Sequence, residues 1–385
     1  MGEVVGSRRA GACELLEYRY GPQLLPDSPV HAPGMWRYSG LLPLEDGPIR
    51  YPLPVGGTPL IASPGLRRDL EMPRLWVKDE TRGPSASNKD RATALVIETG
   101  LRTGADTITI SSTGNAAVAT AFGAAAAGLR SVIFVPQECN PGKIALMQAA
   151  GALVLRASGG YPQAFRLSRE GARRLGWLDR NTGVNPLTLE AKKTVALEIW
   201  EQLGRSRPDV VLVPVGDGPT LCGLAKGFRE LLLCGAIDRV PRLIGVQAAN
   251  CRPLVRAWLG EPVDAQDHGP TIADGIAVTE PSIGPLALQD VRDSDGAYVA
   301  VTDEDLQRAV SVLARSAGIG SEPAGAACLA GLWKALELGH VERTETAVLL
   351  VTGRELAHAA HPGALTGQAP VVAGWNDVEE HLALL

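Results

Sequence analysis

The sequence predicts an α/β protein whose parallel sheets are covered by helices on both faces. Short, continuously apolar runs rich in β-branched residues recur along the chain, and longer stretches with apolar residues at helical spacing separate them. The 44 glycines and 28 prolines are scattered between these runs, as turns are. A strand buried on both faces has no polar side, so unbroken apolar character marks a parallel sheet, and its alternation with helices marks βαβ units.

Taken in order, residues 1–49 are irregular and dotted with proline, and read as an N-terminal extension. Strands are expected at 75–78, 107–111, 132–135, 153–156, 210–215, 243–247, 298–301 and 348–351. Helices are expected at 92–102, 116–127, 143–150, 162–175, 187–203, 221–233, 303–316 and 324–338. A chain of 385 residues exceeds one compact core, so more than one domain is expected.

Aromatic residues make up 4% of the chain against 45% hydrophobic, so aliphatic side chains carry the core. With 37 basic and 42 acidic side chains the net charge is −5, which argues against a nucleic-acid partner. No apolar stretch approaches the length of a membrane span. The opening MGEVVGSRRAGACELLEYRY lacks a continuous apolar region, and a cytoplasmic chain is expected. Cysteines 13, 139, 222, 234, 251 and 328 show no paired spacing and read as reduced thiols, with no metal site. His31, His268, His340, His358 and His361 likewise lack metal-ligand spacing and read as surface or capping groups.

In parallel sheets, ligands gather at the carboxyl ends of strands, and four loops there carry chemistry. In PSASNKDR (84–91), Ser87 and Asp90 form a candidate cap pair that places Lys89 in the first turn of a helix. The positive helix start lowers a lysine pKa, as a Schiff-base amine requires. SSTGN (111–115) offers hydroxyls and helix-start amides to a carboxylate, and Asn115 adds an amide donor. VGDGPT (215–220) brings glycine backbone and a helix start to a phosphate, although Asp217 suits that place only if it points away. Thr352-Gly353 ends a strand with a hydroxyl suited to a pyridine nitrogen. Each loop alone is also an ordinary turn or cap.

Together with WVKDE (76–80), VNPLTLEAKKT (184–194) and EPAGAA (322–327), these loops resemble, in order and spacing, the fold-type II pyridoxal 5′-phosphate (PLP) enzymes, and within them the threonine synthase and cysteate synthase group. The resemblance implies two three-layer α/β domains of the tryptophan-synthase-β-like class with the cofactor between them. Residues 50–88 and 209–385 would form the larger PLP-binding domain, and 89–208 the smaller one. It implies Lys89 as the catalytic Schiff-base lysine and Asn115 as the partner of the cofactor's 3′-oxygen. Gly216, Asp217, Gly218, Pro219 and Thr220 match the phosphate cradle, and Thr352 the pyridine partner. Ser112, Thr113 and Gly114 match the loop that closes on the substrate carboxylate. Departures include Asn88 for a common phenylalanine, Ala191 for glycine, Asp217 in the cradle and Ala357 for lysine; Cys13 resembles the remnant of a zinc ribbon.

The reaction implied is Cα deprotonation of a small amino acid followed by β or γ elimination or replacement. Conversion of O-phosphohomoserine to threonine plus phosphate stands first. A β-replacement enzyme of the cysteate synthase type on O-phosphoserine, a threonine or serine dehydratase, and a PLP-binding protein without turnover are the alternatives. Family habit implies a homodimer. Arg91 reads as a structural ion pair, Cys222 as small core filling, and of Lys192 and Lys193 one is expected to face solvent.

Overall fold

The computed structural model describes residues 3–10, 13–21, 33–262, 269–354, 356 and 369–383. Its strands in chain order are β1 (Glu3–Ala10), β2 (Cys13–Arg19), β3 (Leu60–Ile61), β4 (Leu75–Asp79), β5 (Thr107–Ser111), β6 (Arg130–Pro136) and β7 (Leu153–Ala157). There follow β8 (Leu178–Asp179), β9 (Val210–Pro214), β10 (Arg242–Ala248), β11 (Ala297–Val301), β12 (Ala347–Val351) and β13 (Val371–Val372). The helices are α1 (Pro64–Asp69), α2 (Lys89–Thr103), α3 (Asn115–Ala126), α4 (Pro141–Ala149), α5 (Gly160–Leu175) and α6 (Leu187–Gln202). They continue with α7 (Pro219–Leu233), α8 (Pro253–Leu259), α9 (Gly284–Asp293), α10 (Asp303–Ala317), α11 (Pro323–Glu337) and α12 (Trp375–Leu382).

The described residues divide into two compact units. Unit one takes Met1–Asp46, Val55–Asn88 and Leu189–Glu355; unit two takes Gly47–Pro54, Lys89–Thr188 and Leu356–Leu385. The smaller part starts at Lys89, as expected, but its main segment ends at Thr188 rather than at 208, and Gly47–Pro54 and residues after 355 join it. Residues 189–208 belong to unit one because α6 buries Val195, Ala196, Leu197 and Ile199 in that unit's core. The described residues 369–383 return to unit two because β13 pairs in parallel with β7 there.

Unit one holds a six-stranded sheet in the order β11-β10-β9-β12-β4-β3, parallel except for β3. The apolar continuity of its strands has a direct cause. Val210, Leu212, Leu349 and Val351 point into one core, while Val211, Val213, Val348 and Leu350 point into the other. Each such residue contributes on the order of 1.5–3 kcal/mol through burial. Gly223 and Gly227, one turn apart on α7, let that helix lie close to α6; a Cβ at either would stand 2.7 Å from Lys192 Cβ or 2.6 Å from the Lys193 carbonyl oxygen.

Unit two repeats the plan with an all-parallel sheet in the order β13-β7-β6-β5-β8. Ile133 and Val135 pack to one side of β6, and Val132 and Phe134 to the other.

The stretch expected to be irregular contains an antiparallel hairpin, β1 with β2, and a 3-10 helix at Gly34–Leu41. Its residues are polar enough that no apolar run announced it. The hairpin is pinned by charge: Arg8 pairs with the buried Asp290 on α9, and Lys226 of α7 donates to the Tyr18 carbonyl at 2.6 Å.

Lys78 on β4 is wholly buried, and its ammonium donates to Glu198 Oε2 at 2.7 Å, the Thr58 carbonyl at 2.6 Å and Gln202 Oε1 at 2.9 Å. Three acceptors saturate its three protons. Lys78→Met leaves Glu198 charged in the core and is expected to cost about 3–5 kcal/mol, whereas Lys78→Met with Glu198→Leu should recover much of it. Urea unfolding of the two variants checks this.

Candidate active site

Three neighbouring parallel strands of unit one, β9, β12 and β4, end on the same side of the sheet. Between β9 and β12 the strand order reverses, since β9, β10 and β11 run outward from that point; such a switch leaves a crevice at the strand ends. Gly216–Thr220 follow β9, Thr352 follows β12, and 80–88 follow β4.

These segments meet. The Asn88 amide N–H donates to the Thr352 carbonyl at 2.9 Å, and the Arg354 amide to the Ala86 carbonyl at 3.0 Å. Ser87 and Gly353 form an antiparallel bridge. Asn88 Nδ2 then donates to Thr220 Oγ1 at 3.3 Å, so one side chain spans the loop after β12 and the loop after β9. Gly325, in the EPAGAA segment, makes room for this pairing, because a Cβ there would lie 2.5 Å from the Gly353 carbonyl oxygen.

The loop after β9 is backbone shaped for close approach. Gly218 precedes α7 at φ +102°, a left-handed conformation, and a Cβ on Gly216 would stand 3.1 Å from Ile276 Cα. The first amides of a helix have no partners within the helix, and here they face the glycine turn. Asp217 points away from them: its carboxylate accepts from the Ser282 amide at 2.5 Å and from Ser282 Oγ at 2.9 Å. Burial raises its pKa, against the pull of the Ser282 bonds and the Lys192 charge. Ser282 was invisible as a site residue because 65 positions separate it from Asp217.

Unit two carries the other predicted residues. Lys89 is the first residue of α2, three positions before the helix expected at 92–102, and the chain enters unit two there directly after Asn88. The 111–115 loop leaves β5 and opens α3. Ser112 Oγ accepts from the Gly114 amide at 3.2 Å, Thr113 is exposed, and a Cβ on Gly114 would meet open space. Ser111 Oγ is buried without a hydrogen-bond partner, an orphaned hydroxyl at the loop's head. Asn115 begins α3.

Neither Lys192 nor Lys193 faces solvent, contrary to expectation. Lys193 Nζ lies 2.8 Å from Glu190 Oε2 and 2.8 Å from Glu230 Oε2, and 3.5 Å from the centre of the Tyr20 ring. Tyr20, just after the hairpin, covers the Lys193 charge. Arg91 is buried, at 1% exposure. Cys222 fills the core, and burial, with Asp290 beside it, holds its thiol protonated. Among the described residues no His, Cys, Asp and Glu cluster suits a metal ion, and no helix is long and apolar enough to cross a membrane. Cys13 lies on β2; His31, His268, His358, His361 and Ala357 lie outside the described residues.

A sheet with its switch point and a helix-opening glycine loop suit an anionic ligand. The chain belongs to the pyridoxal-phosphate dependent enzyme family, whose profile matches residues 51–353. It is 36% identical over 330 residues to the threonine synthase of Methanosarcina acetivorans, covering 85% of this chain and 81% of that one. To the threonine synthase of Methanocaldococcus jannaschii it is 35% identical, covering 84% and 80%. Among solved structures, a threonine deaminase from T.th. superposes with a TM-score of 0.64 at 27% identity, covering 78% of this chain and 94% of that one. Maize serine racemase, at 20% identity and a TM-score of 0.65, shares the fold over 85% of this chain and 93% of its own. The protein is thus a PLP-dependent lyase of amino-acid metabolism, similar to threonine synthases.

The residues present suit that cofactor. The glycine turn and helix start suit an anion, the Asp217 carboxylate is turned to Ser282, and Asn88 joins that turn to the segment bearing Thr352. Gly218→Ala forces a side chain into a left-handed position 3.1 Å from Ala287 Cβ. Its apoprotein is expected to bind PLP about tenfold more weakly, read by absorbance titration, with an unchanged circular dichroism spectrum.

Proposed function

We propose that this enzyme converts O-phosphohomoserine and water to threonine and phosphate, the Cγ–O bond breaking and water adding at Cβ, with Lys89 as its catalytic lysine. The observation that carries the reading is Asn88, hydrogen-bonded to both the Thr352 segment and Thr220, with Lys89 as the very next residue. The threonine synthases at 35–36% identity, matched over at least 80% of their own length, support the choice of substrate.

Bound PLP supplies an electron sink for negative charge at the substrate Cα. Around it the chain's own groups divide the work. Lys89 Nζ would hold the cofactor, and as a free amine it would take the substrate's Cα proton and later return it. The amides of Gly216, Asp217, Gly218 and Thr220 hold the phosphate group, Pro219 fixes the turn, and Asn115 holds the ring's 3′-oxygen. Thr352 offers a neutral hydroxyl to the pyridine nitrogen, which withdraws less charge than a protonating carboxylate would and so favours leaving-group expulsion. Ser112, Thr113 and Gly114 grip the substrate carboxylate, and their closure excludes water until the leaving group has gone. A homodimer in the cytoplasm is part of the same reading, and light scattering tests the dimer.

The purified protein is expected to release phosphate from O-phosphohomoserine, with Lys89→Ala lowering the rate by a factor on the order of 10³ or more. Phosphate released from O-phosphoserine instead would favour β-replacement. Keto acid from threonine with no phosphate from either compound would favour a deaminase, the activity named for the T.th. neighbour. No turnover with any of the three, in protein that binds PLP, would point to a binding role.

A further inference from the structure

In unit two the strand order also reverses, here between β5, which leads outward to β6 and β7, and β8 on its other side. The segment after β8 therefore opens at the same switch as the 111–115 loop after β5. It begins Arg180-Asn181, two residues that the sequence did not single out because β8 is only two residues long. Both are buried, at 0% and 1% exposure.

Consecutive residues at a strand end point opposite ways, and these two serve different partners. The Arg180 guanidinium reaches the start of α2: Nε donates to Thr93 Oγ1 at 3.0 Å, one terminal nitrogen to the Lys89 carbonyl at 3.4 Å, and the other to Thr182 Oγ1 at 3.0 Å. Asn181 turns to β5. Its Oδ1 accepts from the Ser111 amide at 2.8 Å, and its Nδ2 donates to Ser168 Oγ and to Asp179 Oδ1, each at 2.8 Å. The Arg180 amide is itself fixed to the Thr109 carbonyl at 2.9 Å.

We propose that Arg180 and Asn181 are paired positioning residues, Arg180 holding the turn that carries Lys89 and Asn181 holding the head of the 111–115 loop. The proposal rests on the roles given above to Lys89 and to that loop. A guanidinium taken wholly out of water is costly, and Arg180 has only hydroxyls and a carbonyl as hydrogen-bond acceptors. Burial lowers its pKa to about 10, with Asp90 and Asp179 opposing, so it remains a cation at neutral pH. Apolar filling would stabilise the same space more cheaply; what an arginine adds is a rigid three-way fork that fixes α2's first turn. Ser111, on the other arm, is where the strand ends and the loop begins, so its amide sets the direction in which 112–114 depart.

Two constants separate the arms: half-saturation by PLP of the borohydride-trapped adduct at Lys89, and the dissociation constant of L-threonine, the proposed product, read from the cofactor's visible spectrum. Arg180→Gln is expected to raise the first about thirtyfold, and Arg180→Lys to restore part of it. Asn181→Ala should leave PLP within about twofold of wild type and weaken L-threonine about tenfold. Should Arg180→Gln fail to fold, Thr93→Val removes only the hydroxyl facing Arg180 Nε and should raise PLP half-saturation about threefold. Equal changes in both constants for both variants, or none, would overturn the pairing. A wild-type protein that forms no adduct at Lys89 would instead remove the lysine assignment on which the pairing stands.

Discussion

The short pairing of residues 86–88 with 352–354 is the constraint on which unit one's chemistry depends. It rests on two backbone hydrogen bonds, Asn88 to Thr352 and Arg354 to Ala86, around the bridge between Ser87 and Gly353. Through it the loop leading to Lys89 is held to the end of a central strand. The fully apolar strand β12 can be central only because both of its faces are buried, and Gly325 leaves the space beside Gly353 that the pairing needs. Asn88 extends the pairing to Thr220. A residue that looked like a departure from the family pattern is thus the one that joins the loop after β12 to the loop after β9.

Both units place their special residues by the same rule. Each sheet reverses its strand order once, and apart from Lys89, which comes after β4, the residues proposed for cofactor or substrate binding or for positioning follow the strands on either side of that point: β9 and β12 in unit one, β5 and β8 in unit two. In the proposed reading, backbone N–H groups and short hydroxyl side chains would do most of the recognition there. Such groups carry little conformational entropy, so little is lost when they hold a ligand.

Buried charge is the second recurring device. Lys78 with Glu198, Lys193 and Lys226 with Glu190 and Glu230, and Asp290 with Arg8 and Arg229 each tie helices or the hairpin to unit one. These pairs are weak sources of net stability but demanding in geometry, because a misplaced partner leaves a bare charge in the core. They fix α6 and α7 to each other, and α7 begins at the glycine loop.

The sequence by itself marked most of the longer strands, most helices and the loops that join strand ends to helix starts, because burial on both faces writes an unbroken apolar run and because glycine and hydroxyl residues at helix starts are local signals. Lys89, the 111–115 loop, the 215–220 loop and Thr352 were all legible in that way. Tertiary structure alone decided which of these loops touch, that Asp217 turns to Ser282, that both Lys192 and Lys193 are buried, and that α6 and the chain's last segment belong where they do. The same holds for the N-terminal hairpin and for Arg180 and Asn181, which sit after a strand of two residues. Each of these depends on partners tens to hundreds of positions away, and long-range pairing of charges and amides leaves no periodic trace along a single chain.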